Sequence, residues 1–171
     1  LSSILKKNEG NGALKLELAT RGEIRLWFIA DAFRKGWTME EVFVSCKVDY
    51  WFLHQIKDIV DDEKTILNSK LEQIDATTLK SYKKKGFSDA RIADLLEIDE
   101  QSVREHRYKL NVHPVFKRVD SCAAEFDSTT NYLYSTYEEF NESEVSDNKK
   151  IVVLGSGPNR IGQGIEFDYC C

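Results

Sequence analysis

Proline is nearly missing from this chain: 171 residues hold two, Pro114 and Pro158. Nothing before Pro114 therefore carries the residue that most strongly breaks a helix. Cysteine is sparse as well, at Cys46, Cys122, Cys170 and Cys171, and no two of these form a C-x-x-C. That spacing excludes a disulfide framework and, with His54, His106 and His113 far apart in sequence, gives no zinc-ligand pattern. No metal site is expected. No apolar run approaches the roughly twenty residues of a membrane-spanning helix. The first dozen residues are polar and lysine-containing, unlike the apolar centre of a signal peptide. The net charge of −5 opposes both nucleic-acid and anionic-membrane partners.

What is present is a regular series of helix starts and stops. Residues 1–12 read as a flexible lead, with a break at Asn8 to Gly12. Thr20 followed by Glu23 predicts a capping box and a first helix through Phe28, ended by Gly36. Thr38 and Glu41 repeat the pattern. Asp49 is the next expected N-cap, opening a helix from Tyr50 to about Glu63. Phe52, Leu53, Ile56, Ile59 and Val60 recur there at helical spacing and are expected in a core. Asp75 predicts a helix over 76–85 stopped by Gly86, Ser88 one over 89–96 with Ile92, Leu95 and Leu96 inward, and Asp99 one over 100–109. The fold class expected is mainly all-α: a domain over residues 13–112, built as two small clusters of helices.

Residues 86–110 also read as a helix-turn-helix, the alternative function being a DNA-binding module. The second helix would present Gln101, Ser102, Arg104, Arg107 and Lys109 to a major groove. Lys80, Lys83, Lys84 and Lys85 would extend a phosphate-binding edge. Charge opposes this. Residues 79–110 contain eight Lys/Arg against six Asp/Glu, and Glu100 and Glu105 sit on the would-be reading helix, where phosphates repel them. A purely structural helix pair is the other reading.

Beyond Val112 the pattern changes. Residues 113–148 form the expected extended linker, running over the surface and ending in the acids Glu138, Glu139, Glu142, Glu144 and Asp147. Residues 149–171 then read as the truncated start of an α/β domain. Ile151, Val152, Val153 and Leu154 suit a strand buried on both faces, and a glycine turn follows with Gly155, Gly157, Gly162 and Gly164. The turn departs from the dinucleotide fingerprint, because Arg160 occupies its third glycine position, and no Gly-Lys-Ser/Thr follows as in a phosphate-binding Walker loop. It is either a backbone anion receiver or a tight structural turn. One strand does not make a sheet, so the expectation is a piece of a longer protein.

Five strings carry a more specific signal. GSGPNRIGQGIEFDYCC at the end, VHPVFKRVDSCAAEF from Val112 and YLYSTYEE from Tyr132 resemble segments of the carbamoyl-phosphate synthase large subunit. LATRGEIRLWFIADAF from Leu18 and YWFLHQI from Tyr50 resemble the first helices of its central domain. The likeness covers nearly the whole chain in one order. It implies an oligomerisation and spacer domain between two ATP-grasp halves, followed by the start of the second half's pre-ATP-grasp domain. The intact enzyme so implied is an ATP-dependent ligase that makes carbamoyl phosphate from bicarbonate, glutamine-derived ammonia and two ATP, feeding arginine and pyrimidine synthesis. It implies ATP with Mg or Mn, and K, as cofactors of the intact enzyme and none held by this segment. Its implied partners are the rest of the large subunit, a glutaminase small subunit and further copies of the enzyme, in the cytoplasm, with no nucleic acid and no membrane. No catalytic residue carries over, and the segment alone is expected to be inactive. Glu166 resembles a glutamate bordering the family's carbamate passage, with Arg160 a candidate cation beside it; the alternative for Glu166 is an exposed acid favoured by a helix dipole.

Overall fold

The computed structural model describes residues 10–120, 122–127 and 133–151. Among the described residues seven helices appear in chain order: α1 (Asn11–Ala19), α2 (Arg25–Arg34), α3 (Met39–Cys46), α4 (Tyr50–Leu67), α5 (Ala76–Lys84), α6 (Asp89–Leu96) and α7 (Glu100–Lys109). A 3-10 turn, Leu71–Gln73, lies between α4 and α5, and strands β1 (Val115–Arg118) and β2 (Leu133–Thr136) follow. The fold is mainly helical, as expected.

The helix starts follow from local chemistry. The Thr38 hydroxyl accepts from the Glu41 amide at 3.2 Å, and Glu41 accepts from the Thr38 amide at 2.7 Å, a reciprocal capping box. Asp49, Asp75, Ser88 and Asp99 accept from backbone amides at the starts of α4, α5, α6 and α7. Each satisfies a donor that the helix cannot satisfy internally. Gly36 and Gly86 follow α2 and α5 with φ of 85° and 93°, the left-handed backbone that favours glycine.

Two hydrophobic clusters form the interior. Leu14, Leu18, Ile29, Val42, Leu53 and Val60 anchor the first, and Ile66, Ile74, Leu79, Ile92 and Val103 the second. Helix α4 serves both. Its buried stripe of Leu53, Ile56, Val60, Glu63 and Ile66 steps by three and four residues, so one face runs from the first cluster into the second.

Four expectations need correction. Thr20 does not open a helix: it ends α1, where its hydroxyl donates to the Leu16 carbonyl at 2.9 Å. Helix α2 starts after Ile24 without a side-chain cap. Helix α1 lies partly where a flexible lead was expected; Leu14 and Leu18, four apart and fully buried, hold it despite Gly12. Helix α4 continues to Leu67 rather than Glu63, because Ile66 extends the buried face. Phe52 is exposed rather than core, since Leu53 takes the inward position.

The linker is not strand-free. Strands β1 and β2 pair antiparallel, with Val115 opposite Thr136 and Arg118 opposite Leu133. The Asn141 side chain accepts from the Phe116 amide at 2.9 Å, and Glu142 accepts from the Arg118 amide at 2.9 Å and from Lys117 at 2.8 Å. The acidic end of the linker thereby satisfies the outer edge of β1. Of the expected terminal strand only Ile151 is described, outside any strand; Val152 to Leu154 lie outside the described residues.

Candidate functional site

The site residues expected from the sequence, Gly155, Gly157, Arg160, Gly162, Gly164 and Glu166, lie outside the described residues. The described residues present two buried charge centres and one exposed aromatic face.

The first centre is Glu63, on α4 and only 3% exposed. Its Oε2 accepts from Arg34 Nε at 2.8 Å, and its Oε1 accepts from Arg91 Nη2 at 2.8 Å and from Arg34 Nη2 at 3.1 Å. Arg34 Nη1 also donates to Asp31 at 2.7 Å. Arg34 belongs to α2 and Arg91 to α6, so this one carboxylate ties helices of both clusters together. Burial pushes the Glu63 pKa up, but hydrogen bonds and charge from Arg34 and Arg91 outweigh it and hold the carboxyl below its ordinary 4.5.

The second centre is Asp89 at the start of α6. Arg107 of α7 engages it through Nη2 at 3.0 Å and Nε at 3.1 Å, and Lys83 of α5 donates to it at 2.9 Å. Arg107 Nη1 donates to the Val112 carbonyl at 3.0 Å, fixing where the chain leaves α7. Lys83 lies over the Tyr137 ring, 5.4 Å from its centroid, which brings the segment after β2 onto this corner. Burial raises the Asp89 pKa, and the two cations overcome that and lower it. Carboxylates so neutralised stay ionised near neutral pH and have their lone pairs occupied. They hold helices together and are poorly placed for proton transfer. Among the described residues no group of three His, Cys, Asp or Glu side chains is placed to hold a metal ion.

These centres also decide the helix-turn-helix reading. Helices α6 and α7 do pack together, but Arg107 and Lys83 are consumed inside the fold. Arg104 pairs with Glu100 at 2.6 Å, Gln101 with Glu105 at 3.0 Å, and Lys85 with Asp58 and Asp62 at 3.2 and 2.6 Å. Lys83, Lys85, Arg104 and Arg107 are thus spent on neighbouring acids, and the DNA-binding reading has no support from this surface.

The exposed face lies at the start of α4, where Trp51 and Phe52 are 63% and 55% exposed and meet edge to face at 5.0 Å. Tyr50 stacks on Phe43 of α3 at 4.3 Å, and its hydroxyl bonds to Glu40. Arg25 donates to the Leu18 carbonyl at 2.9 Å and to the Cys46 carbonyl, so the start of α2 is tied to the ends of α1 and α3. Arg34, at the end of α2, meets Glu63 of α4. Ile24 and Leu26, at the start of α2, are both about half exposed. The Phe52 position shows what sequence periodicity missed here. The core leaves the pair Trp51 and Phe52 outside.

Comparison with known proteins places this architecture. Residues 2–111 match the family described as "Carbamoyl-phosphate synthetase large chain, oligomerisation domain". Residues 147–171 match "Carbamoyl phosphate synthase preATP-grasp domain". The chain is 55% identical over 165 residues to the carbamoyl phosphate synthase large chain of Neisseria meningitidis serogroup A, covering 96% of this chain and 15% of that protein. It is 54% identical over 167 residues to that of Pseudomonas syringae pv. tomato, covering 98% and 16%, and 55% identical over 158 residues to that of Pasteurella multocida, covering 92% and 15%. The chain thus spans about 15% of the length of the curated relatives it matches. With its helical part matching the oligomerisation domain and its relatives agreeing over nearly its whole length, the chain belongs to the carbamoyl-phosphate synthase large-chain family.

Proposed function

We propose that this chain is the association and spacer segment of a carbamoyl-phosphate synthase large chain, standing between two ATP-grasp halves. The observation that carries the reading is the match of residues 2–111 to an oligomerisation domain, on a helical unit whose buried charges are all engaged in packing. Residues 13–112 form the association domain, 113–148 the linker, and 149–171 the opening of the second pre-ATP-grasp domain, with 1–12 leading in. The intact protein makes carbamoyl phosphate from bicarbonate, ammonia supplied by a glutaminase subunit, and two ATP, in the cytoplasm.

ATP, its Mg or Mn, and K belong in this reading to the ATP-grasp segments. Glu63 and Asp89, the buried carboxylates of the described part, are already neutralised by arginine and lysine and do not fit a metal. Their role is mechanical: they fix α2, α4 and α6, and α5, α6 and α7, so that the surface between the halves keeps one shape. Glu166 with Arg160 lines a carbamate passage, and the turn of Gly155, Gly157, Gly162 and Gly164 opens the next domain.

Sedimentation velocity of the full-length large chain, with and without its glutaminase subunit, tests the association role, and bicarbonate-dependent ATPase tests the division of labour. The expected result is reversible self-association of the large chain, ATPase from it, and none from residues 1–171. A large chain that stays monomeric at every concentration, or ATPase from the 171 residues alone, overturns the reading.

A further inference from the structure

We propose that the strand pair β1–β2 is a releasable strap, closed onto the α5–α6 corner by one latch, the Tyr137 ring on the Lys83 ammonium, and able to open while the helices stay folded. The strap's use rests on the family reading above: it gives the segment from residue 149 freedom to shift against the helical unit. The strands satisfy their own backbone. On one edge β1 pairs with β2. On the other, Asn141 and Glu142 accept from the Phe116 and Arg118 amides, and the Glu142 amide donates to the Phe116 carbonyl at 2.8 Å. None of these bonds involves a helix. Neither face of the pair is covered either. Opposite residues, and residues two apart, share a face, so Phe116 and Leu133 lie on one side and Tyr134 on the other. They are 45%, 46% and 52% exposed. Neither hydrophobic cluster of the interior includes a strand residue.

The strap's two ends are held differently. Its entry is fixed, because Arg107 Nη1 donates to the Val112 carbonyl at 3.0 Å. After β2, the Lys83 ammonium lies 5.4 Å from the Tyr137 ring centroid, and Lys84 lies 4.0 Å from Glu138. The Lys84–Glu138 pair has both side chains about half exposed and contributes little. Lys83 is a prepared partner: its side chain is buried, and Asp89 holds it at 2.9 Å. A cation so held over a ring shifts an equilibrium by about five- to thirtyfold. Beside this contact, β2 and the α5–α6 turn enclose a cleft of about 350 Å³, lined by Lys83, Gly86, Phe87, Thr136 and Tyr137. The strap therefore spans a gap and is not packed into a core. Two strands alone are marginally stable in water, so the strands lose order when the latch opens.

Hydrogen exchange of the full-length large chain, read by mass spectrometry and corrected for intrinsic rates, tests this in the unsubstituted protein and in Tyr137→Phe and Tyr137→Leu. In the unsubstituted protein the amides of β1 and β2 are expected to exchange at least about tenfold faster than those of α6 and α7, as for a local opening. Tyr137→Leu keeps an apolar side chain and removes the ring; it should speed the strand amides about fivefold or more and leave α6 and α7 unchanged. Tyr137→Phe keeps the ring and should stay within about twofold of the unsubstituted protein. Strand amides as protected as those of α7 overturn the strap. Equal exchange in the Leu and Phe variants, fast or slow, overturns the latch, and acceleration of α6 and α7 along with the strands overturns the separate opening. Each failure leaves the association role standing, because that role is read from sedimentation and ATPase of the unsubstituted chain.

Discussion

Glu63 shows what one residue contributes. Removing its charge leaves Arg91 partly buried without its counter-ion and Arg34 with Asp31, and breaking a buried pair costs about 3 kcal/mol. Glu63→Leu is expected to lower unfolding stability by that amount, measured by urea titration at neutral pH, whereas Glu105→Ala on the exposed face of α7 should change it little. The same groups set the acid response. Glu63 and Asp89 have folded pKa values below their ordinary 4.5 and 3.8, so their contribution is complete above those values. As pH falls, the unfolded chain takes up protons first, and the contribution disappears by the time the folded carboxyls protonate. Urea midpoints should therefore decline as pH falls below about 5, and Glu63→Gln should flatten part of that slope. A midpoint independent of pH below about 5 would contradict the roles given to both carboxylates. None of this was readable in the sequence. Glu63 stands in the run Asp61-Asp62-Glu63-Lys64, where all four look like a solvated face, and only the meeting of α2 and α6 with α4 selects Glu63 for burial.

At the scale of elements, legibility followed the range of the interaction. Thr38, Asp49, Asp75, Ser88 and Asp99 cap helices within three residues of themselves, so the starts of α3 to α7 were visible in the sequence. Thr38→Ala should cost about 1 kcal/mol. Gly86→Ala should cost about as much through backbone alone, because no heavy atom lies within 4 Å of the added Cβ while φ is +93°; urea titration of each variant checks both. Helix α1 was masked by Gly12 and by the decoy of Thr20 and Glu23. Strands β1 and β2 were missed because each is four residues long and is fixed by a partner well separated in sequence. Tyr137 anchors that hairpin to Lys83. Tyr137→Ala is expected to speed hydrogen exchange at the amides of β1 and β2 while leaving those of α2 and α4 unchanged. Equal exchange in both proteins would remove the anchoring role.

Across the whole molecule, α4 is the shared beam of two helix clusters, clamped at Glu63 and leaving an aromatic face at its start. The two-cluster plan was legible because the caps and glycine stops divide residues 13–112 into short helices. The family was legible from continuous strings such as VHPVFKRVDSCAAEF and LATRGEIRLWFIADAF. The aromatic face was not, since periodicity assigned Phe52 to the core and gave no means of ranking it below Leu53. The passage residues Arg160 and Glu166 rest on resemblance and lie outside the described residues. The most direct test of the spacer role is the intact mass of the native polypeptide that contains this sequence, together with the identity of what co-purifies with it. The expected result is a chain about six to seven times longer than these 171 residues, from a coverage of 15–16% in its relatives, bound to a glutaminase subunit. A native chain that ends at Cys171 and carries no such partner would contradict the proposed place of this segment in a synthase.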